Sequence, residues 1–324
     1  MKLIVTVTDG SIDISRDVQC VRDLNIDVAE VPLCHSQDVG EITRALFDAD
    51  YVIAGSERYD EQTMSALPRL KLIVRNGVGY DNVDLRAAAK LGIAVCNLPG
   101  SNAYSVAEHA LAMMLCITRH IPAHTAHIKE GRYFGYIADS LTGRVGLIGF
   151  GAIAKQLSRL LSIFDVDVYA YDPFVDEQVM AQYGVKKASM EDVISKSDIL
   201  SLHLPALAES RHMVDARFIE KMKDGAYFIN VARGALVDED ALADALLSKK
   251  LSGAGLDVFD PEPLRPNSRL KKVDNILLSP HASTANFSCF HKVLSIGAQA
   301  VADFHMQKQP FNLLNPEYIK NKRI

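Results

Sequence analysis

Short apolar runs alternate with longer amphipathic stretches along the whole chain, and this alternation restricts the possible folds more than any other feature. Candidate strands are Leu3–Val7, Asp27–Val31, Tyr51–Ala54, Lys71–Val74 and Ile93–Cys96, then Val145–Ile148, Val168–Tyr171, Ile199–Leu202, Ala226–Asn230, Gly253–Leu256 and Ile276–Leu278. Many are apolar throughout instead of alternating, as expected when both faces of a parallel sheet are covered. Helical patterns of roughly ten or more residues fill most gaps, so the repeating unit is strand–helix–strand. The 324 residues, 48% apolar, suffice for two domains at about 150 residues each and exclude a disordered chain.

The longest helical pattern, from about Ala103 to about Lys129, separates two groups of strand–helix units. It follows Pro99-Gly100-Ser101-Asn102, where Ser101 or Asn102 is expected to cap it, and Pro122 is expected to kink or split it. A second boundary is expected near Pro280–Asn286, followed by an amphipathic helix from about Phe287 to His305. That helix brings no strand of its own, so it should pack back on the first group. The expected organisation is one domain inserted into another, with the chain crossing between them twice.

Lys plus Arg number 35 and Asp plus Glu 40, a formal net charge of −5. No basic excess points to nucleic acid or an anionic membrane. The apolar run Ala110–Ile117 is far short of the roughly 20 residues a membrane helix needs. The opening MKLIVTVTDG lacks the longer apolar core and cleavage site of a signal peptide. Cys20, Cys34, Cys96, Cys116 and Cys289 are odd in number and widely spaced, without a C-x-x-C pair. Reduced thiols in a cytoplasmic protein fit that pattern better than a disulfide framework or a cysteine zinc site. His120, His124 and His127 share a helical spacing, but Pro122 interrupts them and no carboxylate or Cys completes a tetrahedron, so no metal is expected. Met113 and Met114 read as packing residues, and Lys320–Arg323 as a frayed, exposed basic tail.

The strongest local signal is Arg144-Val-Gly-Leu-Ile-Gly149-Phe-Gly151-Ala-Ile-Ala154, a G-x-G-x-x-A directly after an apolar strand and before the helical pattern Lys155–Phe164. Gly149 permits the tight turn, Gly151 lets the backbone approach a pyrophosphate, and Ala154 stands where only close helix–strand packing is needed. The phosphates would sit on the amides of the helix N-terminus. The next strand ends at Asp172, 21 positions beyond Gly151. A carboxylate there accepts from both ribose hydroxyls of NAD and repels the 2′-phosphate of NADP.

Three further segments end predicted strands: Asn230-Val-Ala-Arg233-Gly234, Leu256-Asp257-Val-Phe-Asp-Pro-Glu262-Pro263 and Leu278-Ser-Pro280-His281. Open α/β sheets bind ligands beyond the carboxyl ends of their strands. Hydride transfer between a nicotinamide and an α-keto or α-hydroxy acid needs a cation for the carboxylate and the C2 oxygen, which Arg supplies with its rigid fork. It also needs an acid that exchanges a proton near neutral pH, which is His. A carboxylate bonded to that His would orient it and favour the imidazolium. Arg233, Glu262 and His281 fill these roles.

These segments, with Val74-Arg-Asn-Gly-Val-Gly-Tyr-Asp-Asn-Val-Asp84, Asn102-Ala-Tyr-Ser-Val-Ala-Glu108 and His203-Leu-Pro205, resemble the D-isomer-specific 2-hydroxyacid dehydrogenases over essentially the whole chain. The resemblance implies an α/β molecule with two doubly wound parallel-sheet domains. A Rossmann NAD domain, residues 99–284, would be inserted into a flavodoxin-like substrate domain, residues 1–98, to which the helix of 285–324 returns. In the family the Arg binds the substrate carboxylate, the Glu supports the His, and the His donates the proton; by motif these are Arg233, Glu262 and His281. The resemblance further implies that Val78 and Gly79 help hold the carboxylate. Val106, Gly149, Gly151, Ala152, Ile153, Asp172, His203, Val231, Ala232, Arg233, Asp257 and His281 would line the NAD site. It also implies a homodimer through the helix after Asn102.

Formate dehydrogenases of the superfamily carry Gln at the position of Glu262, which disfavours that reading. The segment Leu72–Asp84 resembles phosphoglycerate dehydrogenases most, and Arg75 stands where they place a phosphate-binding cation. The loop after His281, Ala-Ser-Thr-Ala-Asn, is shorter than theirs, and the chain ends at Ile324 without the regulatory domain many of them append. A phosphoglycerate dehydrogenase-like enzyme is expected. The alternatives are a glyoxylate or hydroxypyruvate reductase, or a non-catalytic NAD-sensing scaffold of the same fold.

Overall fold

The computed structural model describes residues 1–33, 36–133 and 137–323. In chain order the elements are β1 (Lys2–Val5), α1 (Gln19–Arg22), β2 (Asp27–Glu30), α2 (Val39–Leu46), β3 (Tyr51–Ala54), α3 (Glu61–Ser65), β4 (Leu72–Arg75), α4 (Leu85–Lys90) and β5 (Ala94–Cys96). They continue as α5 (Ala103–Thr118), α6 (Ile121–Lys129), β6 (Gly143–Ile148), α7 (Ala152–Leu161), β7 (Val166–Tyr171), α8 (Glu177–Ala181), β8 (Lys186–Lys187), α9 (Met190–Lys196) and β9 (Ile199–Leu202). The last are α10 (Ala216–Lys221), β10 (Ala226–Asn230), α11 (Glu239–Leu247), β11 (Leu251–Leu256), β12 (Ile276–Leu278) and α12 (Phe287–His305). The chain divides into two compact units, Met1–Asn102 with Ala285–Ile324, and Ala103–Thr284.

The first unit is a five-stranded parallel sheet of order β2-β1-β3-β4-β5, the flavodoxin-like arrangement. Its strands serve two cores at once. Along β3, Tyr51 and Ile53 enter the cluster that also holds Val293, Leu294 and Val301 of α12, while Val52 and Ala54 enter the one on the opposite face. Successive side chains point to opposite faces, so a strand covered twice must be apolar at every position. α12 packs on β3 and β4 and belongs to this unit. Helix starts are set by acidic caps: Asp38, Asp60 and Asp84 each accept from free amides of the turn that follows.

The second unit is a seven-stranded parallel sheet of order β12-β11-β10-β9-β6-β7-β8. Counting from β6, this is the doubly wound dinucleotide-binding order, 3-2-1-4-5-6, with one more strand at the far edge. β10 shows the same two-faced logic: Ala226 and Phe228 point to one core, Tyr227 and Ile229 to the other.

Several details depart from expectation. The long helix is split as expected, into α5 and α6, but the break falls at His120, at φ +49, and Pro122 lies inside the first turn of α6, where its missing amide is tolerated. Neither Ser101 nor Asn102 caps α5. The Ser101 hydroxyl donates to the Leu98 carbonyl at 2.7 Å, and Asn102 Oδ1 is buried without a partner. The edge strand β8 has no apolar residue and so left no hydrophobic signal. The C-terminal tail is not frayed: Arg323 Nε donates to the Leu91 carbonyl at 2.8 Å, and Nη1 to the carbonyls of Leu67 and Leu70, at 3.0 Å for Leu70. A guanidinium has enough donors to satisfy several carbonyls left open at turn ends. Cys20, Cys96, Cys116 and Cys289 are free thiols; Cys34 lies outside the described residues. No described helix is long and apolar enough to cross a membrane, and no described cluster of His, Cys, Asp or Glu could hold a metal ion.

Candidate active site

All strands of the second unit are parallel, so every turn leaving a strand's carboxyl end emerges on the same edge of the sheet. Gly149, Asp172, His203, Val231, Asp257 and Ser279 each follow directly on the end of β6, β7, β9, β10, β11 and β12. The strand ends therefore gather residues spread over some 130 positions of sequence.

The dinucleotide cradle begins at Gly149, at φ +92, where a Cβ would come within 2.5 Å of the His203 carbonyl oxygen. Only glycine fits there. Gly151 precedes the first turn of α7, and a Cβ placed on it would meet nothing within 4 Å, so open space faces these helix amides. Ala154 is fully buried against the sheet, and Ala152 and Ile153 open the helix. Asp172 is tied to the cradle: Oδ2 accepts from Phe150 N and Oδ1 from Phe174 N, both at 2.8 Å. Val106, Val231 and Ala232 are buried apolar residues. A pyrophosphate fits the open, amide-rich turn, and a ribose fits the carboxylate beside it.

The His203 ring makes one hydrogen bond among the described residues, Nε2 to Ser201 Oγ at 2.9 Å; its Nδ1 is buried without a partner. Burial pushes the imidazole down to about 4, so the ring is neutral at physiological pH. Between pH 6.5 and 4 an unfolded chain takes up a proton that folded His203 refuses. Its stabilising contribution is present above pH 6.5 and lost as the pH falls toward 4. The melting temperature should therefore drop across this window more steeply for the native chain than for His203→Gln. Parallel curves would refute the assignment.

Arg233 stands in an extended conformation after β10, its turn bracketed by the buried Asn230, whose Oδ1 accepts from Ala232 N at 3.0 Å and whose Nδ2 donates to the Arg233 carbonyl at 2.9 Å. Arg233 Nη1 donates to the Ala232 carbonyl at 2.7 Å. At the next residue, Gly234, a Cβ would run into the backbone of Phe259. That close approach seats the Arg233 turn on the loop carrying Glu262. Glu262 Oε1 accepts from Phe259 N at 3.1 Å, and Oε2 meets His281 Nδ1 at 2.8 Å. Both side chains remain about a third exposed (31% and 35%), so the pair is reachable. With Nδ1 turned to the carboxylate, Nε2 is the ring nitrogen left for a reactant.

Asp257 is wholly buried. Its Oδ1 accepts from Ser279 Oγ at 2.6 Å and Ala282 N at 2.7 Å, and its Oδ2 from Ser283 N at 3.0 Å. The expectation for Asp257 was only a place lining the cofactor site; its hydrogen bonds go to the His281 loop. His109, on α5, completes this group, with Nε2 2.9 Å from Ser279 Oγ. Sequence reasoning assigned neither His109 nor Ser279 a role. Ser279 lies two residues from His281 and carried a proximity signal, whereas His109 lies 170 positions from Ser279 and carried none.

In the first unit, Arg75 ends β4, and its guanidinium donates to the carbonyls of Ala54 and Asn76 at 3.3 and 3.2 Å and to Asn82 Oδ1 at 3.3 Å. Val78 is exposed (39%), its carbonyl held by Asn97 Nδ2 at 2.5 Å, and Gly79 beside it is half-buried.

The family model for the D-isomer specific 2-hydroxyacid dehydrogenase, NAD binding domain, matches residues 111–283. A D-3-phosphoglycerate dehydrogenase of Archaeoglobus fulgidus is 37% identical over 237 residues, 72% of this chain and 45% of that protein. A glyoxylate reductase of Korarchaeum cryptofilum is 32% identical over 270 residues, 81% of each chain. The apo-structure of D-lactate dehydrogenase from Escherichia coli superimposes with a TM-score of 0.84 at 25% identity, covering 97% of this chain and 100% of that one. The chain spans about half the length of the phosphoglycerate dehydrogenases it matches. The matched domain, the cradle and the sheet order agree, and the chain belongs to the NAD-binding D-isomer specific 2-hydroxyacid dehydrogenase family.

Proposed function

We propose that this protein is an NAD-dependent dehydrogenase interconverting a small 2-keto acid and its D-2-hydroxy acid, of the phosphoglycerate dehydrogenase-like kind. The observation that carries the reading is the 2.8 Å contact between Glu262 and His281, on one sheet edge with Arg233. Bound NADH supplies the hydride when the keto acid is reduced. Arg233 holds the substrate carboxylate, and its planar fork polarises the C2 oxygen. His281, protonated at Nε2 and oriented through Nδ1 by Glu262, gives its proton to the forming alkoxide. In oxidation the same nitrogen, unprotonated, takes it back.

Arg75 is the cation we assign to a substrate phosphate. A small unphosphorylated acid, as in glyoxylate or hydroxypyruvate reduction, is the second reading; it is favoured by the glyoxylate reductase that this chain covers over 81% of its length. We further propose a homodimer through α5 and the segment after it, where Tyr104, Ile121, Ile128, Tyr133 and Ile137 are exposed. A cytoplasmic location fits the free thiols.

The deciding experiment is NADH oxidation with glyoxylate, hydroxypyruvate, pyruvate, α-ketoglutarate and 3-phosphohydroxypyruvate, with NADPH in parallel. Preference for the phosphorylated acid supports Arg75 as its partner, and preference for the others supports the second reading. NADH binding without any turnover would overturn both in favour of an NAD-sensing scaffold. Glu262→Gln keeps an oxygen for His281 Nδ1 but loses the charge-assisted bond that orients the ring, so kcat should fall roughly tenfold with KM little changed. An unchanged kcat would take Glu262 out of this role.

A further inference from the structure

We infer that His109 and Ser279 are positioning residues for His281, forming a hydrogen-bond relay from helix α5 to the buried carboxylate that shapes the His281 loop. The inference deepens the dehydrogenase reading and rests on it for its kinetic consequences.

The loop is unusual in its backbone. His281 sits at φ +53, the left-handed region that an L-residue other than glycine rarely adopts. Ties on both sides hold it there. Its own amide donates to the Asp257 carbonyl at 2.8 Å, and the next two amides, of Ala282 and Ser283, point at the Asp257 carboxylate. The Asp257 side chain is thus the template on which the loop is folded. A carboxylate buried this completely is stable only while hydrogen bonds or opposite charge compensate it.

Donor counting gives the relay a direction. An ionised carboxylate only accepts, so the 2.6 Å contact spends the single hydroxyl proton of Ser279 on Asp257 Oδ1. Ser279 Oγ then has only lone pairs to offer His109. The 2.9 Å contact must run from a proton on His109 Nε2 to Ser279 Oγ. His109 Nε2 is also 3.5 Å from Asp257 Oδ1, so its N–H dipole lies beside the buried carboxylate. A hydroxyl that accepts from an imidazole and donates to a carboxylate is polarised in both directions, which strengthens each bond. A second tie leaves the same helix, Ser105 Oγ donating to the Ser283 carbonyl at 2.5 Å. α5 thereby fixes the loop at two points flanking His281.

His109 and Ser279 have no role assigned at the substrate or the cofactor, so their loss should misplace the acid rather than weaken binding. His109→Leu and Ser279→Ala should each lower kcat roughly 10- to 100-fold, the scale for displacing a catalytic group by an ångström. The KM for the keto acid and the Kd for NADH should stay within about twofold. His109→Gln, which keeps an N–H donor near the Nε2 position, should recover most of kcat. The His109→Leu/Ser279→Ala double variant should be no worse than the more damaged single, as for members of one network. An unchanged kcat in His109→Leu, or a His109→Gln as damaged as His109→Leu, would overturn the relay. A measurement independent of turnover covers variants that fail to fold. In 15N-histidine-labelled wild-type protein, His109 should carry a proton on Nε2, and a bare Nε2 would refute the relay. If wild-type enzyme turned over no acid, the dehydrogenase reading would fail while this spectrum still judged the relay.

Discussion

Arg233→Gln is expected to lower kcat by about 10²- to 10³-fold and to raise KM for the keto acid at the same time. The two effects arise from one guanidinium acting twice. In the proposed reaction it binds the carboxylate equally in ground and transition states, which is a KM effect, and it faces the negative charge that would grow on the C2 oxygen, which is a kcat effect. The structure favours such a double role because Arg233 is presented on a braced turn. Asn230 closes that turn from both sides, and Gly234 lets it press on the Phe259 backbone. Arg233→Lys should restore only part of the loss, since an ammonium offers a point charge in place of a planar fork. Steady-state kinetics with NADH at saturation checks this. A rise in KM with kcat intact would reduce Arg233 to a binding residue.

The second large effect is at His281. His281→Asn is the informative substitution because asparagine tolerates the left-handed backbone that this position adopts, so the loop should survive. It removes the proton donor and with it about 10²- to 10⁴-fold in kcat. NADH binding, followed by fluorescence titration, should be nearly unchanged, and the falling limb of the pH profile should vanish. A variant that kept a pH limb at the wild-type position would show that another group supplies the proton.

The core, the glycine turn and the strand-end placement of the candidate triad were legible in the sequence for one reason. Strands buried on both faces must be apolar at every position, and parallel sheets place chemistry where those strands stop. Reading the end of each apolar run therefore led to Gly149, Asp172, Arg233 and His281. The same reading missed β8, because Lys186 and Lys187 pair at an exposed edge with nothing to bury. It also mistook the tail, because a run of basic residues gives no hint that Arg323 will find three carbonyls donated by residues more than 230 positions away.

What the chain determines by itself is local: periodicity, turn glycines, acidic helix caps and the residue that follows each strand. The tertiary structure alone separated the surroundings of two neighbouring carboxylates. Asp257 and Glu262 are five positions apart on one strand-end loop, both acidic and both near the candidate histidine. Folding buries Asp257 under the His281 loop with three hydrogen bonds, and leaves the Glu262 side chain about a third exposed against the imidazole Nδ1. Burial and partner fix the role of an ionisable group, and both depend on distant residues such as His109, which no spacing rule along the chain connects to His281.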